Sequence, residues 1–256
     1  MAAGIMLSRV AGLIRERVLA HYLGTLPAAD AFRAALRIPN FLQNLFGEGV
    51  LSASFIPVYS RLLAASDEKD ANEVASVIGS LLAVLTSVLV VLGILGTSLL
   101  IDAIAPGFTG ETRRLTITLV QILFPGVGTL VMSAWCLGVL NSHGRFFLSY
   151  SAPVLWNLFI IAGLFTFGHT KSLSMLVVYT AWCSVLGSLA QLLVQVPTVL
   201  RLTRRLHFSL DTTNVGHSSR EYEVWFCTDF RGHQTRSLKR TSSQKDFRRP
   251  TARLHH

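Results

Sequence analysis

Charge is the first thing this chain is short of. Asp, Glu, Lys and Arg make up 14% of its 256 residues, against about 25% in an average soluble domain. The shortage is concentrated, because residues 74–101, 115–144, 146–170 and 172–200 contain none of the four. Each run exceeds the roughly 20 residues that cross a bilayer as a helix. A soluble core helix is seldom so long and so apolar on every side, so an ordinary soluble α-protein is excluded. Cysteine is scarce too. Cys136 and Cys183 lie in apolar runs and Cys227 lies near the C-terminus, with no CxxC pair and no His/Cys cluster at ligand spacing. A disulfide framework and a zinc site are therefore unsupported. Walker loops, dinucleotide fingerprints and HExxH are also missing, so nothing marks an enzyme and no cofactor or metal is expected.

The expected fold class is all-α, a polytopic membrane helix bundle. The four charge-free runs and two charged N-terminal segments give about six transmembrane helices. Their expected spans are about 4–23, 28–60 with a kink at Pro39, 74–101, 115–140, 146–167 and 173–200. Pro39 removes a backbone donor, which is the reason for the kink. Residues 61–73 read as a polar loop. The first segment has no cationic leader and carries charge where a signal peptide would be apolar, so it reads as mature protein. Trp135 and Trp156 are expected to pack or to sit at an interface, and Asn157 to bond a neighbouring helix.

Net charge is +9, and it is unevenly placed. Residues 201–256 hold 12 of the 23 Lys and Arg but only 5 of the 14 Asp and Glu. The body up to residue 200 holds 11 Lys and Arg against 9 Asp and Glu and is nearly neutral; residues 1–205 are expected to form the transmembrane lobe. Residues 206–256 form a basic tail without helical or strand periodicity, expected to be disordered. Arg201, Arg204 and Arg205 directly follow the last span, which favours a cytoplasmic end there and, with six helices, a cytoplasmic N-terminus.

The charge that is present in the first two segments is the best functional clue. Residues 5–56 carry Arg9, Arg15, Glu16, Arg17, Asp30, Arg33, Arg37 and Glu48. Ionisable groups on membrane helices are costly and usually face a cavity or a partner. At 100° per residue, Ser8, Arg9, Gly12, Arg15 and Glu16 share a sector about 120° wide, while Asp30, Arg33, Arg37, Asn40, Asn44 and Glu48 share one about 80° wide. Two readings stay open. Asp30 and Glu16 could pair with nearby arginines and pin the two helices together. Alternatively, the surplus guanidiniums could bind a phosphate or carboxylate, which their fork matches bidentately.

Several blocks along the chain carry a family likeness. They are Ser8-Arg9-Val10 with Gly12 and Arg15, Ala29-Asp30-Ala31-Phe32, Arg37-Ile38-Pro39-Asn40, and Phe46-Gly47-Glu48-Gly49 leading into Ser54-Phe55-Ile56-Pro57-Val58. Ala105-Pro106-Gly107-Phe108, Phe124-Pro125, Leu140-Asn141-Ser142 and Ala152-Pro153 continue the pattern in order. Over about residues 4–215 the chain resembles the MurJ/MviN lipid II flippases, within the multidrug/oligosaccharidyl-lipid/polysaccharide exporter fold. The resemblance implies a transporter of the bacterial plasma membrane. It would move the undecaprenyl-pyrophosphate-linked peptidoglycan precursor from inner to outer leaflet by alternating access of two helical lobes. It implies that Ser8, Arg9, Arg15 and Asp30 occupy cavity positions, with Arg9 and Arg15 on the pyrophosphate and Asp30 setting local electrostatics. Glu48 matches an acidic position of the family, and Arg33, Arg37 and Asn40 complete the candidate substrate-binding set.

Where family members often carry an arginine pair, this chain has Gln43 and Asn44. It corresponds to one lobe of the two-lobe fold, and the tail after about residue 216 resembles nothing in the family. A truncated or out-of-frame product, not competent alone, is the expectation. Partners implied are the lipid-linked precursor, membrane lipids and cell-wall synthesis proteins, with no nucleic acid expected. The readings kept beside this are an exporter of another lipid-linked oligosaccharide or a drug, and a membrane-anchored protein whose basic tail binds nucleic acid or anionic lipid.

Overall fold

A computed structural model describes residues 2–24, 26–65, 68–169 and 172–203. The basic tail lies outside the described residues, as do the side chains of Pro39, Gln43 and Glu48. Among the described residues all regular structure is helical, and the molecule is an all-α membrane helix bundle. The helices are α1 (Ala2–Leu23), α2 (Pro27–Gln43), α3 (Ile56–Ala64), α4 (Glu68–Leu95), α5 (Thr97–Ile104), α6 (Gly110–Ser142), α7 (Phe146–Phe167) and α8 (Leu173–Leu202). A π-helical segment, Asn44–Phe55, joins α2 to α3. By length and apolarity α4, α6, α7 and α8 can each cross a membrane. The α1 and α2 helices carry Arg9, Arg15, Glu16, Arg17, Asp30, Arg33 and Arg37.

Local chemistry explains the boundaries. Pro27 opens α2, where its missing N–H costs nothing. The helix type changes at Asn44, beyond Pro39, on entry to a stretch containing Gly47, Gly49, Ser52 and Ser54, all weak α-formers. The α4 helix starts at Glu68, inside the stretch whose polarity predicts a loop. Glu68, Lys69, Ala71 and Glu73 are polar or small, yet they favour helix, and Glu68 and Asp70 sit in the first turn where the helix dipole favours them. At the other end α4 stops at Leu95. Gly96 follows, its N–H still bonded to the Leu92 carbonyl at 2.8 Å, and α5 begins. Pro125, Pro153 and Pro197 all lie within helices, which membrane bundles tolerate because neighbours satisfy the freed groups.

The α6 helix is the centre of the bundle and packs against α8, α2 and α4, while α7 packs against α8 and α1. Small residues set the closest approaches. A Cβ on Gly79 would come within 2.9 Å of the Trp135 ring, and one on Gly187 would lie 3.1 Å from the Trp156 Cα. Bilayer helices associate through such close packing rather than through hydrophobic burial. Both tryptophans are buried.

Polar side chains stitch α6 to α8. Gln191 Nε2 donates to Ser133 Oγ at 2.7 Å, and Ser133 Oγ donates to Gln195 Oε1 at 2.7 Å. One turn away, Thr129 and Ser188 share a 2.7 Å hydroxyl–hydroxyl bond. Asn157 behaves differently from the expectation. Its Nδ2 donates to the Pro153 carbonyl of its own helix at 3.1 Å. That carbonyl lies one turn back on the same helix, where a short polar side chain reaches it directly.

Candidate anion-binding face

The charged residues of α1 and α2 lie mainly on exposed faces. Arg9 and Glu16 on α1 are exposed or half-buried, as are Asp30, Arg33, Arg37 and Asn40 on α2 and Ser8 and Arg15 on α1. This follows from packing. The α1 helix rests on α7 and α2 rests on α6, through apolar faces that include Ala11 and Leu19 on one and Ala31, Phe32 and Ala35 on the other. The polar stripes remain exposed, and so, on α1, do the apolar Met6, Leu7, Val10, Leu13 and Ile14.

Arg15 is held most firmly. Its side chain is 14% exposed, and its Nη2 donates to Glu16 Oε1 at 2.6 Å. Its guanidinium carbon sits 5.0 Å from the centre of the Trp156 ring. Trp156 is fixed in turn, its Nε1 donating to Ser184 Oγ at 2.9 Å. Three helices, α1, α7 and α8, therefore orient one guanidinium. A cation over an indole face gains about 0.5–2 kcal/mol, the larger figure where water is excluded. Arg15 Nε is buried and has no hydrogen-bond partner among the described residues.

The remaining charges are held loosely. Arg33 Nη1 lies 3.9 Å from Asp30 Oδ1, with side chains 47% and 58% exposed. A pair so long and wet contributes about 0–1 kcal/mol. Arg9 and Arg37 form no ion pair among the described residues. No hydrogen bond or ion pair among those residues joins the α1 stripe to the α2 stripe. Pinning of α1 to α2 by Glu16 or Asp30 is thus absent there, because each carboxylate pairs within its own helix.

Sequence reasoning did not foresee Trp156 as a contact of Arg15. A tryptophan in a charge-free run reads as packing, and the meeting depends on how α1 crosses α7. The Ser133–Gln191–Gln195 chain was also missed, although Gln191 and Gln195 stand four apart in such a run and so share one helix face.

Residues 19–219 match the family described as Lipid II flippase MurJ. The chain belongs to the MurJ family. It is 36% identical over 196 residues to the Lipid II flippase MurJ of Burkholderia cenocepacia, covering 75% of this chain and 37% of that protein. Among solved structures it superposes on a Lipid II flippase MurJ in an inward closed conformation with a TM-score of 0.68, at 24% identity, over 89% of this chain and 46% of that one. It also superposes on an outward-facing multidrug resistance MATE transporter with a TM-score of 0.63, at 18% identity, over 84% of this chain and 46% of that one. The two structural likenesses show the fold alone. The chain thus spans less than half the length of the MurJ proteins it matches.

Proposed function

We propose that this chain supplies one helical wall of a lipid II flippase. In this reading the arginines of α1 and α2 receive the pyrophosphate of an undecaprenyl-linked peptidoglycan precursor. The observation that carries the proposal is the surplus of guanidinium. Arg9 and Arg37 stand outside the core with no ion pair among the described residues, and Arg15 is oriented by an indole face. Cations on membrane helices call for an anionic partner, and a bidentate fork suits phosphate. Arg15 and Arg9 take the headgroup, Arg33 and Arg37 extend the positive field along α2, and Ser8 and Asn40 offer neutral hydrogen bonds. Asp30 tempers that field, and Glu48 adds a second negative charge farther along the chain. The N-terminus is placed in the cytoplasm of a bacterial inner membrane, with Arg145 and Arg201 at the same side.

Alternating access requires a second lobe to rock against the first. The 256-residue polypeptide by itself is therefore expected to bind pyrophosphate-linked lipid without moving it. Reconstitution of the polypeptide in vesicles tests both halves. Binding of a labelled polyprenyl-pyrophosphate lipid with no leaflet exchange is the expected outcome. Flipping by this chain alone would overturn the second half, and absence of binding at low salt would overturn the first.

A further inference from the structure

Arg17 is the arginine of α1 that the candidate anion-binding face does not use. On a helical wheel it stands about 160° from Arg15. That puts it on the side of α1 away from α7, since Ala11, Leu19 and Leu23 form the buried side. Arg17 is exposed and forms no ion pair among the described residues. His21, one turn further on, is exposed on the same side.

The rest of that side is apolar. Met6, Leu7, Val10, Leu13 and Ile14 share with Arg17 and His21 a sector about 120° wide, and Met6 and Leu13 are 65% and 71% exposed. The two kinds of residue are not mixed along the axis, because every one of these apolar residues precedes Arg17. From Met6 to Arg17 the helix rises about 17 Å, close to one leaflet's half of the roughly 30 Å hydrocarbon core. Aromatic side chains mark the same end of the bundle. Tyr22 meets His21 edge-on at 5.2 Å between ring centres and Phe165 of α7 edge-on at 5.9 Å, while Phe167 stacks on Tyr179 of α8 at 4.7 Å. Such rings gather where hydrocarbon gives way to headgroups. Arg17 lies about 8 Å inside Tyr22 along the axis, a depth from which a long side chain reaches the phosphates.

We propose that this side of α1 binds an anionic phospholipid of the bilayer, with its phosphate on Arg17 and His21 and an acyl chain along Leu13, Val10 and Met6. Polarity along the helix matches polarity along the lipid, head at residues 17–21 and tail at 6–14. A free anion would leave the apolar stretch uncovered. A zwitterionic lipid brings its own cation to the phosphate and gains less from Arg17. The imidazole of His21 has an N–H to donate in either tautomer. The bound lipid is a membrane component, separate from any pyrophosphate-linked cargo. Arginines then stand on two sides of one helix with different partners: Arg9 and Arg15 for the cargo, Arg17 for the membrane.

The test uses the full chain in phosphatidylcholine nanodiscs doped with either phosphatidylglycerol or phosphatidylcholine carrying a photoreactive diazirine in one acyl chain. After illumination, peptide mapping is expected to place label on residues 6–14 about fivefold more strongly from phosphatidylglycerol, the scale of one basic side chain beside an anionic lipid. Arg17→Gln, at an exposed and unpaired position, is expected to erase that preference and to leave the affinity for inorganic pyrophosphate unchanged. Arg17→Lys is expected to keep most of the preference. Arg9→Gln is expected to do the reverse of Arg17→Gln, weakening pyrophosphate binding with the lipid preference intact. Equal labelling by the two lipids, or a preference that survives Arg17→Gln, would overturn the proposal. So would displacement of the label by farnesyl pyrophosphate at lower concentration than by unlabelled phosphatidylglycerol, which would give this side to the cargo. Absence of both labels from residues 6–14 would mean that protein covers this side, and would overturn it too. Failure of inorganic pyrophosphate to bind, with the lipid preference intact, would remove the headgroup reading alone.

Discussion

The α6–α8 interface and the exposed face of α1 and α2 both place polar side chains on helices of a membrane bundle, in opposite ways. Between α6 and α8 the polar groups are neutral, buried and bonded to one another, as in the chain Gln191–Ser133–Gln195. On α1 and α2 they are charged, mostly exposed and either unpaired or paired within one helix. Neutral hydrogen bonds between membrane helices contribute on average about 0.6 kcal/mol each, enough to fix how two helices register. Unpaired guanidinium contributes no such registry and costs stability when desolvated. The first arrangement belongs to the scaffold, and the second is the face on which the proposed ligand would bind. Variants in the two regions should therefore separate stability from binding.

The largest effect is expected at Arg15. Arg15→Gln removes a charged donor oriented by Trp156, and charge-assisted hydrogen bonds contribute about 1.5–3 kcal/mol. Affinity for a pyrophosphate-linked lipid should fall by about tenfold to a hundredfold. The stability lost should be no more than the cation–π contact over Trp156, about 0.5–2 kcal/mol, because the Glu16 partner is largely exposed. Equilibrium binding and a melting curve on one preparation check both. A large loss of stability with little loss of affinity would move Arg15 to the scaffold side of the comparison.

Gly187→Ala tests whether the two regions communicate. The added Cβ would lie 2.8 Å from the Phe159 Cβ and 3.1 Å from the Trp156 Cα, so α7 must shift from α8. Overpacking of this kind costs about 1–3 kcal/mol. Trp156 is also the face on which Arg15 rests. Melting temperature and anion affinity should therefore both fall, with stability falling more than affinity, the reverse of Arg15→Gln. Unchanged affinity in a destabilised Gly187→Ala variant would show that Arg15 does not depend on its indole support.

The parts of this comparison were unequally legible in the sequence. The stripes on α1 and α2 follow from the helical period alone, since Arg9 and Arg15, or Asp30, Arg33 and Arg37, need only 3.6 residues per turn to align. The family blocks run from Ser8 to Pro153, and the match over residues 19–219 takes in all of them except the first, Ser8 to Arg15. What depends on tertiary packing could not be read. Arg15 meets Trp156 because α1 lies on α7, and α5 forms as a separate helix beyond Gly96 within a run that reads as one long helix. The start of α4 was hidden for a different reason. Glu68, Lys69 and Asp70 look like a loop by polarity, while Glu68 and Lys69 favour helix by propensity.

On the scaffold side, Ser133→Ala removes the hydroxyl that links Gln191 to Gln195, both buried. Gln191 Oε1 and Gln195 Nε2 already lack partners among the described residues, so both amides would lose the bond they make to Ser133. Leaving a buried polar group unsatisfied costs about 1–3 kcal/mol, although bilayer measurements run lower. A loss near 1 kcal/mol, on the order of those figures, is expected, with anion affinity intact. Ser133→Thr, which restores the hydroxyl, should recover part of it. Loss of anion binding in Ser133→Ala at undiminished stability would contradict the division between the regions.

The smallest effect is expected at Asp30. Its 3.9 Å contact with Arg33 is long and wet on both sides, so Asp30→Asn should change stability by less than about 0.5 kcal/mol. Its charge nonetheless opposes an incoming anion through the solvent around α2. Neutralising it should raise affinity for inorganic pyrophosphate by roughly twofold to threefold at low salt, the scale of a unit charge acting in a high dielectric. The gain should vanish at high ionic strength, because exposed charges are screened within about a Debye length. A titration of affinity against salt, run on the unaltered protein and on the Asp30→Asn variant, distinguishes this from a direct role. A salt-independent loss of binding in the variant would mean that the carboxylate touches the ligand, and the α2 stripe would then be a mixed-charge site rather than a cationic field with one tempering group.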